Sequence, residues 1–367
     1  MLATGKTSEM PVSTLLRMVA KEHRELQEWP VLAALPFSSD GPAQVLLPDS
    51  ISRINEAECP DTAATAAPAD VARTACSIEE PAHPYAYREQ PTPEVYCANV
   101  AAALHAIREG RLEKVVLARS LKVKTQIAAA DLLRRLAGRN PSAYSFSIRL
   151  AESPAGARYL IGASPELLLS KRGRQIASHP LAGSIARSPD PAEDGRRARA
   201  LLLSAKDRYE HSLVVNAVTT ALIPFCTQMH VPAEPTLLAT PTMWHLGTEI
   251  MGVLKEASTS SLTLAQALHP TPAVCGFPQN VAYDFIHDCE GFERDLFAGL
   301  VGWCDANGDG EWAVTIRCAE LAVGSATLYA GAGIVHGSSP ESELAETSAK
   351  LRTMLNAMGL EPLPEAT

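Results

Sequence analysis

The feature that most restricts the fold is a strand-rich stretch near the C-terminus, residues 297–335. It reads FAGLVGWCDANGDGEWAVTIRCAELAVGSATLYAGAGIV, so apolar and β-branched runs alternate with short turn segments. Such runs, separated by Asn, Asp and Gly, are typical of antiparallel strands. The stretch therefore predicts an antiparallel meander, with a hairpin around DANGDGE followed by a third strand.

The DANGDGE segment also imitates the start of a calcium-binding loop. Asp305, Asn307, Asp309 and Gly310 have the spacing of its first ligands and its glycine. A loop of this kind ends on a bidentate Glu, and Ile316 stands at that position. The sequence therefore favours a hairpin turn over a calcium site.

Strands and helices alternate along the rest of the chain without a regular β-α-β rhythm. Strand-like segments such as AYSFSIRL, RYLIGAS and ELLLSKRG precede a helical span around 193–225, and another helix is predicted near 262–268. This order favours an α+β fold with large, mostly antiparallel sheets and helices outside.

The N-terminal part is less regular. We expect residues 1–95 to form one structural unit with residues 96–367, with an Ala- and Pro-rich excursion near 56–92. Order resumes at Thr92, which can cap a helix whose first turn holds Pro93.

Composition limits the partners. With 46% apolar residues in 367, the chain can bury a large core, whereas its net charge of -9 argues against a nucleic acid or an anionic membrane as the main partner. No apolar run is long enough to span a membrane or to serve as a signal peptide. We expect a cytoplasmic monomer that acts on a small molecule.

Two pairs of acids stand at helical i,i+3 spacing: Asp207 with Glu210, and Glu343 with Glu346. Two helices that each present such a pair can converge on one hard cation, with water completing a Mg²⁺ shell. The alternative is a solvated helix face, on which Glu346 and Lys350 form an i,i+4 ion pair.

Lys114 and Glu166 each stand beside apolar strand residues and allow two interpretations. Either side chain extends to the solvent from the end of a strand, or burial has moved its pKa toward the range that acid-base catalysis requires. His211 and His245 are not at metal-ligand spacing from each other, so each is interpreted as a structural histidine and zinc is not indicated.

Near residue 331, GAGIVH has two glycines of a dinucleotide-binding fingerprint, but His336 replaces the third. Gly331 and Gly333 instead suit a strand end at which the backbone approaches a carboxylate closely.

Several motifs occur in the order found in chorismate-utilising enzymes, from about residue 96 to the C-terminus, and the chain resembles that family. The resemblance implies a fold like that of anthranilate synthase component I, with residues 96–367 as the chorismate-binding catalytic domain. Within the family the chain is most similar to the isochorismate synthases of catecholate siderophore pathways, which make 2,3-dihydroxybenzoate. The motifs are KVVLARS, GASPELLL, SHPLAGS, KDRYEHSLVV, MWHLGTEI, LHPTPAVCGFP, FAGLVGWCDANGDGEWAVTIRCAEL, LYAGAGIV and SSPESELAETSAKL.

The resemblance implies roles for the acids and for one lysine. Lys114 would be the general base toward a water that attacks C2 of chorismate, and Glu166 the general acid that protonates the departing C4 hydroxyl. Mg²⁺ would be held by Glu210 and Glu346 and would bind the ring carboxylate. The neighbouring acids, Asp207 and Glu343, would orient the metal-bound waters.

The resemblance also implies substrate contacts. Arg317 would hold the carboxylate of the enolpyruvyl arm, and Lys350 would lie near the ring carboxylate. The remaining implied contacts are Gly183, Ser184, His245, Ala273, Gly331 and Gly333.

Other chemistries of the family stay open to different degrees. Aminodeoxychorismate synthases use a nucleophilic lysine where this chain has Ala182, which leaves water or ammonia as the nucleophile.

Salicylate synthases are the main alternative within the family. They go on to eliminate pyruvate and tend to have Thr at the position of Ala273. An isochorismate synthase of menaquinone synthesis is the next alternative. A downstream enzyme that consumes isochorismate is expected in any of these pathways except the salicylate synthase one. A catalytically dead relative is disfavoured because Lys114, Glu166, Glu210 and Glu346 are all present, and a metal-dependent hydrolase because no P-loop or His-rich motif occurs.

Overall fold

The computed structural model describes residues 2–21, 29–52 and 86–360, in which three antiparallel sheets are accompanied by eight α-helices. The strands of this described part, in chain order, are β1 (Leu2–Pro11), β2 (Val31–Leu35), β3 (Pro42–Ser52), β4 (Tyr87–Gln90), β5 (Lys114–Lys124), β6 (Tyr144–Arg149), β7 (Tyr159–Ser164), β8 (Leu167–Arg172), β9 (Gln175–His179), β10 (Leu181–Ala186), β11 (Cys226–His230), β12 (Thr236–Ala239), β13 (Met243–Gly247), β14 (Ile250–Leu254), β15 (Gly276–Phe277), β16 (Leu300–Cys304), β17 (Gly310–Val314), β18 (Cys318–Ala322) and β19 (Ser325–Ile334).

Five of the described helices begin with a side-chain N-cap, at Thr92, Asp190, Ser204, Ser260 and Ser339. Thr92 Oγ1 accepts a hydrogen bond from the Val95 N–H at the start of α2, as predicted, and Gly359 ends α8 with φ at 75°. The helices are α1 (Val12–Lys21), α2 (Pro93–Arg108), α3 (Ala129–Arg139), α4 (Pro191–Leu203), α5 (Ala205–Leu222), α6 (Ser261–Leu268), α7 (Gln279–Glu290) and α8 (Pro340–Met358).

Two large sheets and one small sheet contain these strands. The nine-stranded sheet has the order β1-β3-β2-β16-β17-β8-β9-β14-β11, and the small sheet the order β10-β13-β12. In the seven-stranded sheet the order is β15-β5-β19-β18-β7-β6, and β4 also pairs with β5. The predicted α+β fold with large, mostly antiparallel sheets is therefore confirmed.

The core joins both large sheets. One buried apolar cluster contains Leu169 and Trp312 of the nine-stranded sheet together with Val115 and Leu117 of the seven-stranded sheet. A second cluster packs α8 onto the seven-stranded sheet, where Leu355 belongs to the same buried group as β5 and β19 residues. Full burial of a Val or Leu side chain stabilises the fold by about 1.5–3 kcal/mol.

The predicted meander is correct for its first two strands and wrong for the third. β16 and β17 form the hairpin around DANGDGE, with Leu300 opposite Val314. The third run, β18, pairs with β7 and β19 in the other large sheet. The chain crosses between the sheets at residues 315–317, where Arg317 has φ at 51°. This crossing brings Arg317 to the cavity described below.

A buried lysine pairs with an acid of the DANGDGE turn. Lys171 is buried, and its Nζ donates to Asp309 Oδ1 at 2.7 Å and to the Asn307 carbonyl at 3.3 Å. Asp305 Oδ1 accepts the N–H groups of Asn307 and Asp309. The carboxylates of the turn are thus occupied by protein donors, and the predicted hairpin is confirmed.

The predicted excursion near 56–92 lies outside the described residues up to residue 85. Its last part is regular, since Tyr87–Gln90 forms β4 and pairs with β5. Strands from either side of the boundary at 95/96 also share a sheet, with Leu35 of β2 opposite Leu300 of β16. None of the helices in 2–21, 29–52 and 86–360 has both the length and the apolar character that crossing a membrane needs.

Candidate active site

One cavity lies where β5, β10, β13, β19, α5 and α8 meet the crossing segment at residue 317. Most of the residues predicted for the site line it; the other three, Lys114, Asp207 and Glu343, do not form its wall. The predicted residues that line the cavity are Glu166, Gly183, Ser184, Glu210, His245, Ala273, Arg317, Gly331, Gly333, Glu346 and Lys350.

Lys114 lies directly behind this wall. It is the first residue of β5 and is fully buried, so the solvent-exposed interpretation is wrong. Its Nζ lies 2.9 Å from Glu210 Oε1, yet no hydrogen bond of suitable geometry reaches this Nζ from the described residues. The Lys114 amine therefore lies beside Glu210 without a well-aligned hydrogen bond, and its hydrogen-bonding directions are left for a bound molecule.

Glu166 lies between β7 and β8 and is also buried. Burial raises the pKa of its carboxyl group to about 7, although the Leu181 N–H, Lys114, Arg317 and Lys350 act in the opposite direction. Leu181 N donates to Glu166 Oε1 at 3.4 Å. A carboxyl group with this pKa holds a proton near neutral pH, as a general acid must.

Glu346 lies on α8 and has two hydrogen-bond donors. Ser184 Oγ donates to its Oε1 at 2.9 Å, and Lys350 Nζ lies 2.6 Å from the same oxygen. Burial acts to raise the pKa of Glu346, but Lys350, together with Lys206 and Ser184, more than offsets it, so the pKa is lowered. The solvated helix face is therefore wrong, whereas the i,i+4 pair with Lys350 exists inside the cavity wall.

The other acid of each pair lies farther back. Glu343 is buried and accepts from Lys206 Nζ at 2.8 Å; burial and the nearby Glu346 raise its pKa to about 7. Burial likewise raises the pKa of Asp207. Lys206 was not anticipated from the sequence, where it precedes Asp207 as an ordinary helical lysine.

The two cavity acids suit a magnesium ion. Within 2–21, 29–52 and 86–360, no three His, Cys, Asp or Glu side chains are grouped closely enough to hold a metal by themselves. Mg²⁺ however needs only one or two carboxylates, because waters and substrate oxygens fill its other positions. A Cβ atom on Gly333 would lie 2.0 Å from Glu210 Oε1, so this glycine makes the space that the carboxylate occupies. The pair Glu210 and Glu346 fits the ion.

The opposite charge is supplied by Arg317 and Lys350. Arg317 Nη2 donates to His245 Nε2 at 3.2 Å, and burial together with Arg317 keeps the pKa of His245 well below its ordinary value. Burial lowers the pKa of Arg317 to about 10, at which it stays charged near neutral pH. Lys350 Nζ donates to the Gly331 carbonyl at 2.8 Å. Two fixed cations in one cavity suit a small molecule with two carboxylates.

Sequence reasoning missed one charged residue of the wall, Arg294. It forms a buried pair with Glu290 and donates to the carbonyl groups of Val116 and Val274. The i,i+4 spacing of Glu290 and Arg294 was a visible signal, but it does not reveal that the pair is buried. Apolar wall residues such as Phe297 and Tyr329 were missed because they look like ordinary core residues.

The sequence matches a family model of the chorismate binding enzymes over residues 53–359. The chain belongs to this family. The predicted family is therefore confirmed.

Individual members support this assignment. Isochorismate synthase DhbC of Bacillus subtilis (strain 168) is 52% identical over 287 residues, which cover 77% of this chain and 72% of that protein. A solved structure assigned to the 2,3-dihydroxybenzoate-specific isochorismate synthase DhbC of Bacillus anthracis is 42% identical, with a TM-score of 0.86 over 98% of this chain and 93% of that one. Anthranilate synthase component I from Streptococcus pneumoniae TIGR4 has a TM-score of 0.70 at 22% identity over 94% and 85% of the two chains, which confirms the predicted fold.

Proposed function

We propose that this enzyme is an isochorismate synthase, which adds water at C2 of chorismate and removes the C4 hydroxyl group. The observation that carries the proposal is the pairing of Lys114, a buried amine with unused hydrogen-bonding directions, with Glu166, a buried carboxyl group that holds a proton near pH 7. The similarity to proteins named isochorismate synthase supports the same conclusion.

The reaction needs one proton removed and one supplied. Lys114 takes a proton from the water that attacks C2, while Glu166 gives its proton to the hydroxyl group that leaves C4. The double bonds of the ring shift between these positions, and one water enters for each that leaves. Since hydroxide is a poor leaving group, an acid and a base that act together lower the barrier by more than either one alone.

The remaining residues bind and orient the substrate. Arg317 would hold the enolpyruvyl carboxylate, and Lys350 would lie near the ring carboxylate. Mg²⁺, when bound by Glu210 and Glu346, would supply a Lewis acid for that ring carboxylate. The other contacts stay as predicted: Asp207 and Glu343 toward metal-bound water, and Gly183, Ser184, His245, Ala273, Gly331 and Gly333 toward the substrate.

The biological setting follows from the relatives and the sequence. A 2,3-dihydroxybenzoate siderophore pathway is the proposed use of the product, supported by the relatives named for that compound. Because water both enters and leaves, the equilibrium should be close to balanced, so a downstream enzyme must consume isochorismate. The cytoplasmic location, the monomeric state and the division at residues 95/96 stay predictions.

The test is to incubate the purified protein with chorismate and Mg²⁺ and to separate the products by chromatography. We expect isochorismate, and we expect its formation to stop when a chelator removes the metal and to resume when Mg²⁺ is returned. Accumulation of salicylate and pyruvate would instead identify a salicylate synthase. Unchanged chorismate under all conditions would contradict the proposal.

A further inference from the structure

Strand β10 carries an irregularity at the point where it borders the cavity. Leu181 lies opposite Gly247 of β13 and Ser184 opposite His245, so β10 has one more residue than its partner between these pairs. The extra residue is accommodated by Gly183, whose φ of 78° favours glycine. A bulge of this kind re-aims the side chains and backbone groups beside it.

The bulge lies between the hydrogen bonds that hold Glu166 and Glu346. On one side of it, the Leu181 N–H donates to Glu166 Oε1. On the other side, Ser184 Oγ donates to Glu346 Oε1. The conformation of the two residues between them, Ala182 and Gly183, therefore sets where the proton donor and a metal-binding carboxylate are held.

A buried histidine fixes the middle of the bulge. His211 on α5 is 3% exposed, with Nδ1 3.2 Å from the Ala182 carbonyl and Nε2 2.7 Å from Thr248 Oγ1. A carbonyl oxygen only accepts hydrogen bonds, so Nδ1 must carry the proton and donate it. Nε2 then accepts from the Thr248 hydroxyl group, which orients the ring from its far side.

Each ring nitrogen has one role in this arrangement: Nδ1 donates to the Ala182 carbonyl, and Nε2 accepts from the Thr248 hydroxyl group. Thr248 is itself held in the turn between β13 and β14, where its N–H donates to the Pro180 carbonyl at 3.4 Å. The network is complete on both sides of the imidazole.

We propose that His211 and Thr248 are a positioning pair for catalysis: they hold the Ala182 carbonyl, and through the bulge they aim the Leu181 N–H at Glu166 and Ser184 at Glu346. This inference rests on the proposed function, in which Glu166 is the proton donor and Glu346 binds the metal. Neither member of the pair lines the cavity, and each is argued to act through the bulge.

Thr248 offers the cleanest variants, because it is not adjacent in sequence to a metal-binding residue. Thr248→Val keeps the shape and removes the hydroxyl group, whereas Thr248→Ser keeps the hydroxyl group. We expect Thr248→Val to lower kcat/KM by about tenfold and Thr248→Ser to restore it to within about twofold of wild type. Equal activity of Thr248→Val and wild type would overturn the proposal.

Substituting His211 by Asn or by Gln tests its two ring nitrogens separately. In His211→Asn the amide nitrogen can take the place of Nδ1 and still donate to Ala182, whereas in His211→Gln it lies nearer to Nε2. We expect His211→Gln to lose about 100-fold in kcat/KM and His211→Asn about tenfold less. The reverse order would show that the Ala182 carbonyl is not the group that matters.

A pH profile separates positioning from simple loss of stability. The Leu181 N–H, Lys114, Arg317 and Lys350 lower the pKa of Glu166 against the effect of burial. Loosening the bulge lengthens the Leu181 contact, so the pKa of Glu166 rises and the alkaline limb of kcat moves to higher pH in Thr248→Val. A variant with reduced activity, unchanged melting temperature and an unmoved alkaline limb contradicts the positioning role.

One measurement does not depend on activity. The ¹⁵N chemical shifts of the His211 ring should show a neutral imidazole protonated on Nδ1, and Thr248→Val should shift Nε2. If wild type shows this tautomer but does not form isochorismate, the proposed function fails and the geometry stands. If wild type forms isochorismate but His211 is protonated on Nε2, the positioning pair is wrong.

Discussion

Two lysine–glutamate pairs border the cavity, and they differ in how completely the lysine is held. Lys350 Nζ lies 2.6 Å from Glu346 Oε1 and also donates to the Gly331 carbonyl at 2.8 Å. Lys114 Nζ lies 2.9 Å from Glu210 Oε1 and has no hydrogen bond of good geometry in the described part of the chain. The more deeply buried lysine is thus the less satisfied one.

This difference indicates different work for the two amines. A buried donor that lacks well-aligned hydrogen bonds costs stability even beside an opposite charge, and such costs are tolerated mainly where a functional role requires them. Lys114 is available to a water or substrate atom, whereas Lys350 is a fixed positive charge. The comparison predicts a catalytic role for Lys114 and a substrate-binding role for Lys350.

Replacing each lysine by Gln should give the largest contrast. Lys114→Gln removes the base, so we expect kcat to fall by about 10³- to 10⁴-fold with a small change in KM. Lys350→Gln should mainly raise the KM for chorismate, by about tenfold, because a charged hydrogen bond is lost. Steady-state kinetics of both variants measures this split, and equal losses of kcat would remove the distinction.

Glu166 faces both lysines, and its replacement tests the proton donor. We expect Glu166→Gln to lower kcat by about 10²- to 10³-fold, and wild-type kcat to decline as the pH rises above about 7.

Glu166→Gln should lower activity but raise the free energy of unfolding at alkaline pH. The folded pKa of about 7 exceeds the ordinary value of 4.5, so the stability that protonation provides is present below about pH 4.5 and lost as the pH rises through 7. Glu166→Gln should therefore become more stable than wild type toward pH 8, by at most about 3 kcal/mol. Thermal unfolding at pH 5 and pH 8 measures this, and a pH-independent difference would contradict the buried, protonated carboxyl group.

Two glycines of β19 allow a matched test of the space around each pair. A Cβ on Gly333 would lie 2.0 Å from Glu210 Oε1 and 2.9 Å from Lys114 Cε, whereas a Cβ on Gly331 would meet nothing closer than 3.2 Å. We expect Gly333→Ala to lose about 100-fold in kcat/KM and Gly331→Ala less than about tenfold. Comparable losses in the two variants would show that the Lys114–Glu210 contact is not the sensitive one.

The smallest effect is expected outside the cavity. Tyr209 OH donates to Glu113 Oε2 at 2.8 Å, which joins the residues next to Glu210 and Lys114 by an exposed hydrogen bond. Tyr209→Phe should lower the free energy of unfolding by at most about 1 kcal/mol and change kcat by less than about twofold. A larger loss of kcat would mean that the Lys114–Glu210 pair depends on this surface contact.

Several elements follow directly from local sequence. The hairpin around DANGDGE, the cap at Thr92 and the helices that carry Glu210 and Glu346 were all predicted, because turn residues, capping side chains and i,i+4 spacing act within a few residues. The resemblance then named the site residues. The short motifs that carry the resemblance contain these residues, and the structure places most of them in the wall of one cavity. Lys114, Asp207 and Glu343 lie behind that wall.

What the sequence by itself determined is the class of fold and the family, and through the resemblance it named the candidate reactive side chains. What only the tertiary structure decided is their environment. Sequence spacing could not show that β18 leaves the sheet of β17, that Lys114 is buried against Glu210, or that His211 holds the bulge beside Glu166. Burial, pKa shifts and hydrogen-bond partners depend on residues that lie far apart in the chain, and these meet only when the sheets pack together.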